Sequence, residues 1–165
     1  MQHRIDHLDR DIVRLLIEDG RMSGAEIARR LGSTERVIRY RIDQLIQDGV
    51  IQVSAVVNPS AVGFPVTADV WVEVEPGQVM TVARKLMRLE EVSYVACSTG
   101  DRDVSIQVNA CGIEALHSFV TEVLGNVPGV TKTRTLIVPL ILKDVHDWHI
   151  PEPVSGKTHP EAAGT

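Results

Sequence analysis

Five arginines between positions 29 and 41 (Arg29, Arg30, Arg36, Arg39 and Arg41) share that stretch with a single acid, Glu35. A guanidinium fork makes two parallel hydrogen bonds, the geometry that phosphate oxygens and the major-groove edge of guanine accept. A second group of interest is the run Gly100-Asp101-Arg102-Asp103. A turn that combines carboxylates with backbone N–H groups can hold both ends of a free amino acid. The plainer role for the same residues is structural: Gly100 permits a positive φ in a hairpin, and Asp103 satisfies local backbone donors. Catalytic chemistry has no foothold. The sequence offers no paired acid and base, no nucleophile beside a base and no phosphate-cradling glycine loop, so no catalytic residue and no cofactor is expected. His146 and His149 lack an acidic or sulfur partner at a recognised spacing, so no metal site is expected either.

The arginines need a scaffold, and the hydrophobic spacing supplies one. Leu8, Ile12, Leu15 and Leu16 recur at three and four residues between Asp6 and Asp19, one stripe of an amphipathic helix with Asp6 as N-cap. Ser23-Gly24-Ala25-Glu26 matches a capping box and opens a second helix that turns Ile27, Ala28 and Leu31 inward and stops at Gly32. Ser33 and Thr34 cap a third helix running to about Gln47, with Val37, Ile38, Ile42, Leu45 and Ile46 expected inside. Its exposed side then carries Arg36, Arg39, Tyr40, Asp43 and Gln44. Two short helices joined by a glycine turn, the second basic at its exposed start, form the geometry that lays a helix in the major groove. A three-helix packing unit whose arginines form a solvated face fits the same periodicity. A β-rich run, 50–57, follows Asp48-Gly49.

The string from Leu8 to Ile12 and the string from Arg30 to Ile51 resemble the DNA-binding half of the Lrp/AsnC family, the leucine- and asparagine-responsive type of regulator. Arg41, Ile42, Leu45, Gly49 and Ile51 fall in register with that family's recognition-helix pattern. The resemblance implies a winged helix-turn-helix that binds double-stranded DNA, with Ser33, Thr34, Arg36, Arg39, Tyr40, Arg41 and Gln44 as its candidate DNA-contacting residues. Glu35 and Tyr40 depart from the usual pattern, so no operator sequence carries over.

After Asn58-Pro59 the pattern changes. Strand-like runs at 67–74, 92–99, 104–108 and 131–143 alternate with helical runs at 78–88 and 113–124, giving the order βαββαβ. The expected fold class is α+β, a winged helix-turn-helix followed by a ferredoxin-like domain. The expected divisions are 1–58 for DNA binding, 59–66 as linker, 67–143 for effector binding and oligomerisation, and 144–165 as a flexible tail. The second domain also resembles the Lrp/AsnC family, in its regulation of amino-acid metabolism domain, through Gly100-Asp101-Arg102-Asp103, Val127-Pro128-Gly129-Val130 and Thr133-Arg134-Thr135. By that match Gly100, Asp101, Arg102 and Asp103 lie at an effector loop, with Thr133 and Thr135 near it. The implied effector is an amino acid. Arg102 replaces the family's usual aromatic residue, which fits an acidic effector or a side chain facing solvent.

Composition bounds the alternatives. The 165 residues are 44% hydrophobic and 24% charged, an ordinary globular balance. No apolar run approaches the roughly 20 residues that span a bilayer, and the first residues lack a signal-like apolar core, so a cytoplasmic protein without a membrane partner is expected. Cys97 and Cys111 are expected as reduced core residues. The formal charge of −5 runs against DNA binding, but residues 1–58 hold nine Arg and nine Asp or Glu, so the acid excess belongs to the second half. That charge leaves room for a metabolite-sensing or interaction module with weak DNA binding. Sirohaem decarboxylases resemble the same two-domain architecture and form an enzymatic alternative. The apolar run Leu136 to Leu142 predicts a homodimer at least, with higher homo-oligomers implied by the resemblance.

Overall fold

The computed structural model describes residues 5–100, 102–144, 146, 148, 150 and 151. The chain divides into two units, 1–55 with 143–165, and 56–142.

In the first unit, three helices form where the caps and stripes place them: α1 (His7–Glu18), α2 (Gly24–Leu31) and α3 (Glu35–Gln47). Asp6 caps α1 in a full capping box, its carboxylate accepting from the Asp9 amide at 2.9 Å while Asp9 accepts from the Asp6 amide at 3.1 Å. Ser23 makes half of such a box on α2. Its Oγ accepts from the Glu26 amide, but the Glu26 carboxylate is taken by two arginines instead. Gly32 ends α2 at φ +62°, a conformation that a Cβ disfavours, and the Thr34 hydroxyl caps α3. Ile12, Ile27, Ile38 and Leu45 are fully buried at the centre, each stabilising the unit by about 1.5–3 kcal/mol.

The α3 stripe is narrower than expected. Val37 and Ile46 are exposed at 40% and 44%. They lie one residue to either side of Ile38 and Leu45, and a helical step of 100° swings them off the buried seam. The segment 51–58 carries no strand, and Val53, Val56 and Val57 are exposed. A strand needs a partner to take its backbone groups, and the described residues of this unit offer none. Near the chain end, Ile150 packs against the three-helix core and the Pro151 carbonyl accepts from Arg10 at 3.1 Å. The described part of the expected flexible tail therefore lies on the first unit; residues 152–165 fall outside the described residues.

The second unit opens with a 3-10 turn (Pro59–Val62) capped by Asn58, so the expected linker has structure of its own. Then follow β1 (Val66–Val74), α4 (Val79–Leu86), β2 (Val92–Cys97), β3 (Val104–Ala110), α5 (Ile113–Ser118) and β4 (Val130–Val138). The helix beginning at α5 continues as a π turn and a 3-10 turn to Asn126. The strands form an antiparallel sheet in the order β2-β3-β1-β4, the ferredoxin-like arrangement. Alternation sorts its two faces. Ala68, Val70, Val72, Val104, Ile106 and Val108 are buried against a helical layer that contributes Val82, Leu86, Phe119 and Leu124. Thr67, Asp69, Trp71 and Glu73 occupy the alternate positions of β1. At the turn before β4, Gly129 has φ +98° and a Cβ there would meet Val82 at 3.0 Å, so both conformation and space require glycine. β4 ends before Pro139, earlier than expected, because proline has no N–H to extend the ladder.

Candidate functional site

The five arginines, Arg29 and Arg30 on α2 and Arg36, Arg39 and Arg41 on α3, separate into distinct roles. Arg41 turns back toward α1: its Nη1 donates to Asp6 at 2.8 Å and to both oxygens of Asp9 at 3.1 and 3.3 Å. Asp9 is 1% exposed, so the guanidinium neutralises a buried carboxylate and ties α3 to the start of α1. The Asp6 carboxyl is held below its usual range, chiefly by the Asp9 backbone N–H and further by Arg41, against the opposing effect of burial. Arg41 was expected at the DNA, and its geometry instead gives it this internal contact.

Arg29 and Arg30 both donate to Glu26, at 2.7–2.9 Å. Their hydrogen bonds, Arg29's first, pull the Glu26 carboxyl down to about 2. Arg39 donates through Nε and Nη2 to one oxygen of Glu35, at 2.9 and 2.5 Å. A Cβ on Gly24 would lie 3.2 Å from the Arg39 Cγ, so the small residue at the start of α2 makes room for that side chain. Arg36 is exposed and has no carboxylate partner among the described residues. Tyr40, one turn on, is 61% exposed. Thr34 is spent on its cap, Ser33 is half-buried in the turn, and the Gln44 amide donates to Gln47. Arg36, Arg39 and Tyr40 thus remain as the outward group of the helix.

In the second unit the loop before β3 does two things. The Asp103 carboxylate accepts from the Val74 amide at 2.8 Å, while its backbone N–H donates to Val72 and its carbonyl accepts from Ser98. That carboxylate is engaged in holding the loop to the end of β1. Arg102 lies over the Trp71 ring, 4.2 Å from its centroid. Gly100 sits at φ +147°; Asp101 lies outside the described residues. A depression of about 380 Å³ is lined by Trp71, Glu73, Arg102, Lys132, Thr133 and Arg134. Thr133 and Thr135 pair with buried Val72 and Val70 in the register; Thr133 is at the edge of this depression and Thr135 does not line it. Of the expected effector residues, the depression gathers Arg102 and Thr133. Trp71, Glu73, Lys132 and Arg134 were not anticipated, because only the β1–β4 register brings them together.

Cys97 and Cys111 are free and exposed, not core residues as expected. Cys97 is the last residue of β2 and Cys111 follows the last residue of β3, and the Cys97 thiol approaches the Met80 sulfur at 3.9 Å. His146 is exposed, and His149 lies outside the described residues.

A helix-turn-helix that presents Arg36, Arg39 and Tyr40, joined to a ferredoxin-like unit with a cation-lined depression, defines the class of DNA-binding regulators with a ligand-binding domain. Residues 5–52 match the winged helix-turn-helix DNA-binding family, and residues 67–145 match the Lrp/AsnC ligand binding domain. The chain belongs to the Lrp/AsnC family of transcription regulators. It is 36% identical over 141 residues to an uncharacterized HTH-type transcriptional regulator of Pyrococcus abyssi, covering 85% of this chain and 89% of that protein. It is 37% identical over 139 residues to the HTH-type transcriptional regulator FL11 of the same organism, covering 84% of this chain and 91% of that one. Among solved structures, E. coli AsnC superposes with a TM-score of 0.79 at 26% identity, over 87% of this chain and 99% of that chain. The leucine response regulatory protein LrpA of Mycobacterium tuberculosis gives 0.76 at 30% identity, over 89% and 100%. These relatives are transcription regulators and not enzymes. No helix among the described residues is long and apolar enough to cross a membrane.

Proposed function

We propose that this regulator acts in the cytoplasm, reads its operator with the exposed face of α3, and changes its DNA binding or assembly when the second unit takes up an amino acid. The observation that carries the reading is Arg36, exposed and without a carboxylate partner on the helix whose other arginines are paired. Arg36 is the cation that can bond a base edge without first leaving an acid, with Arg39 and Tyr40 beside it. The amino-acid effector is supported by the name of the M. tuberculosis relative, a leucine response regulatory protein. Arg102 and Thr133 serve the effector, and Asp103 positions Arg102 by fixing its loop.

The working form is a homodimer or larger. Leu136 and Ile137 on β4 are 53% and 46% exposed, and Leu140 and Leu142 beyond it 69% and 90%. Exposed apolar side chains on both faces of an edge strand and just beyond it are of the kind that assemblies cover, and a two-fold protein reads paired half-sites. The experiment is a thermal-shift screen of the twenty amino acids on the full chain, since a ligand that binds only the folded state raises its stability. Operator affinity is then measured with and without each hit. A hit that changes operator affinity supports the reading; no hit, or hits that leave DNA binding unchanged, oppose it.

A further inference from the structure

The second unit is acidic overall, and its cations fall into two groups, Arg84, Lys85 and Arg88 at α4 and Arg102, Lys132 and Arg134 at the sheet. Residues 56–142 hold six basic residues against nine acidic ones. The second group, Arg102, Lys132 and Arg134, lines the depression described above. Lys132 is matched by Glu73, its direct neighbour across β1 and β4, at 3.2 Å. Arg102 has the Trp71 ring as its partner, and Arg134 stands opposite Trp71 in the β1–β4 register. Neither guanidinium has a carboxylate partner among the described residues. Two guanidinium forks without a carboxylate partner among the described residues therefore stand beside one aromatic side chain.

We propose that the effector this depression takes is a small dicarboxylate, an acidic amino acid or a dicarboxylic acid of four to five carbons, with one carboxylate on Arg102 and the other on Arg134. The inference rests on the reading that the second unit binds an effector, and it narrows the chemical class. A guanidinium bonds a carboxylate through two parallel hydrogen bonds, and two such pairs at fixed spacing select for a second acid group. A cavity of about 380 Å³ suits a molecule of this size. Trp71 forms an apolar wall for the carbon chain between the two ends. A neutral amino acid satisfies only one fork and leaves the other charge unmatched, so the site discriminates by what it leaves unpaired as well as by what it bonds.

The test is isothermal titration calorimetry on the full chain with L-aspartate, L-glutamate, succinate and glutarate. L-asparagine, L-glutamine, L-leucine and inorganic phosphate are titrated in parallel at matched ionic strength. At least one diacid is expected to bind at least tenfold more tightly than its amide or than leucine. Arg134→Gln, at an exposed position, and Arg102→Gln, at a half-buried one against the Trp71 ring, are each expected to weaken that diacid about tenfold or more, with the melting temperature of the unliganded protein unchanged in Arg134→Gln. Binding of an amide or leucine in preference to the diacids overturns the acidic class and leaves the amino-acid effector standing. Preference for phosphate overturns the dicarboxylate. Diacid binding that both variants retain in full overturns the site. Binding of none of these compounds overturns the dicarboxylate, and failure of the twenty-amino-acid screen as well removes the effector reading itself.

Discussion

Glu35 and Arg39 stand one turn apart on α3, and both donating nitrogens of the guanidinium converge on the same carboxylate oxygen. The acid thereby holds in check a cation that would otherwise meet phosphate without regard to sequence. Glu35→Gln is expected to raise affinity for a scrambled duplex more than for the operator, so that specificity falls. One more phosphate contact steepens the slope of log affinity against log salt by about 0.9. Isotherms on both duplexes at several salt concentrations check this; an unchanged slope contradicts it.

Arg41 and Arg36 have different tasks, so their alanine variants should fail differently. Arg41→Ala removes the guanidinium's hydrogen bonds to Asp6 and to the buried Asp9, and a loss of ~1–3 kcal/mol of stability is expected. Arg36→Ala removes no hydrogen bond or ion pair among the described residues and is expected to leave the melting temperature unchanged while weakening operator binding. Thermal unfolding and DNA titration on both variants separate the two cases.

Acid should loosen the first unit through Asp6. Its carboxyl lies below the usual 3.8 when folded, so the stability it contributes is present above that value and is lost as pH falls through the lower folded value. The exposed Glu26 loses its two arginine partners only near pH 2. Melting temperature measured from pH 6 to pH 2 is expected to drop most below about pH 4. Asp6→Asn, which keeps a capping oxygen but no charge, should flatten that drop.

Much of this was legible before any coordinates. Asp6, Ser23 and Thr34 announced their helices, since a cap is a local event between residues three apart. The order βαββαβ followed from the change of hydrophobic period. Glu26 and Glu35 were also legible, standing three or four residues before Arg29, Arg30 and Arg39, but the arginines were counted as one basic face. Arg41 meets Asp9 across 32 positions, and no local pattern encodes that contact. Trp71 and Arg134 come together through strand register alone. Val37 looked internal because apolar type was read without the narrow width of the buried seam, and Cys97 and Cys111 because strand ends were read as strand centres.

Asp103 gives a prediction that separates structure from binding. Its carboxylate holds the Val74 amide, so Asp103→Ala should lower the melting temperature by removing a charge-assisted bond of about 1.5–3 kcal/mol. It should weaken the effector response in the same variant, because Arg102 loses its anchored loop. Asp103→Asn, which retains an acceptor oxygen, should recover most of both. A stable Asp103→Ala protein that has lost only its response would instead make the carboxylate a direct ligand contact.

The central claim is that α3 reads sequence through Arg36. Its most direct test is fluorescence anisotropy at fixed salt, comparing the full chain and Arg36→Ala on a duplex from the region upstream of its own gene and on a scrambled duplex. The wild-type chain is expected to prefer its own site by about a thousandfold or more, and Arg36→Ala to lose ~1–3 kcal/mol of that preference. Equal wild-type affinity for the two duplexes, or an Arg36→Ala protein with undiminished preference, would contradict the claim.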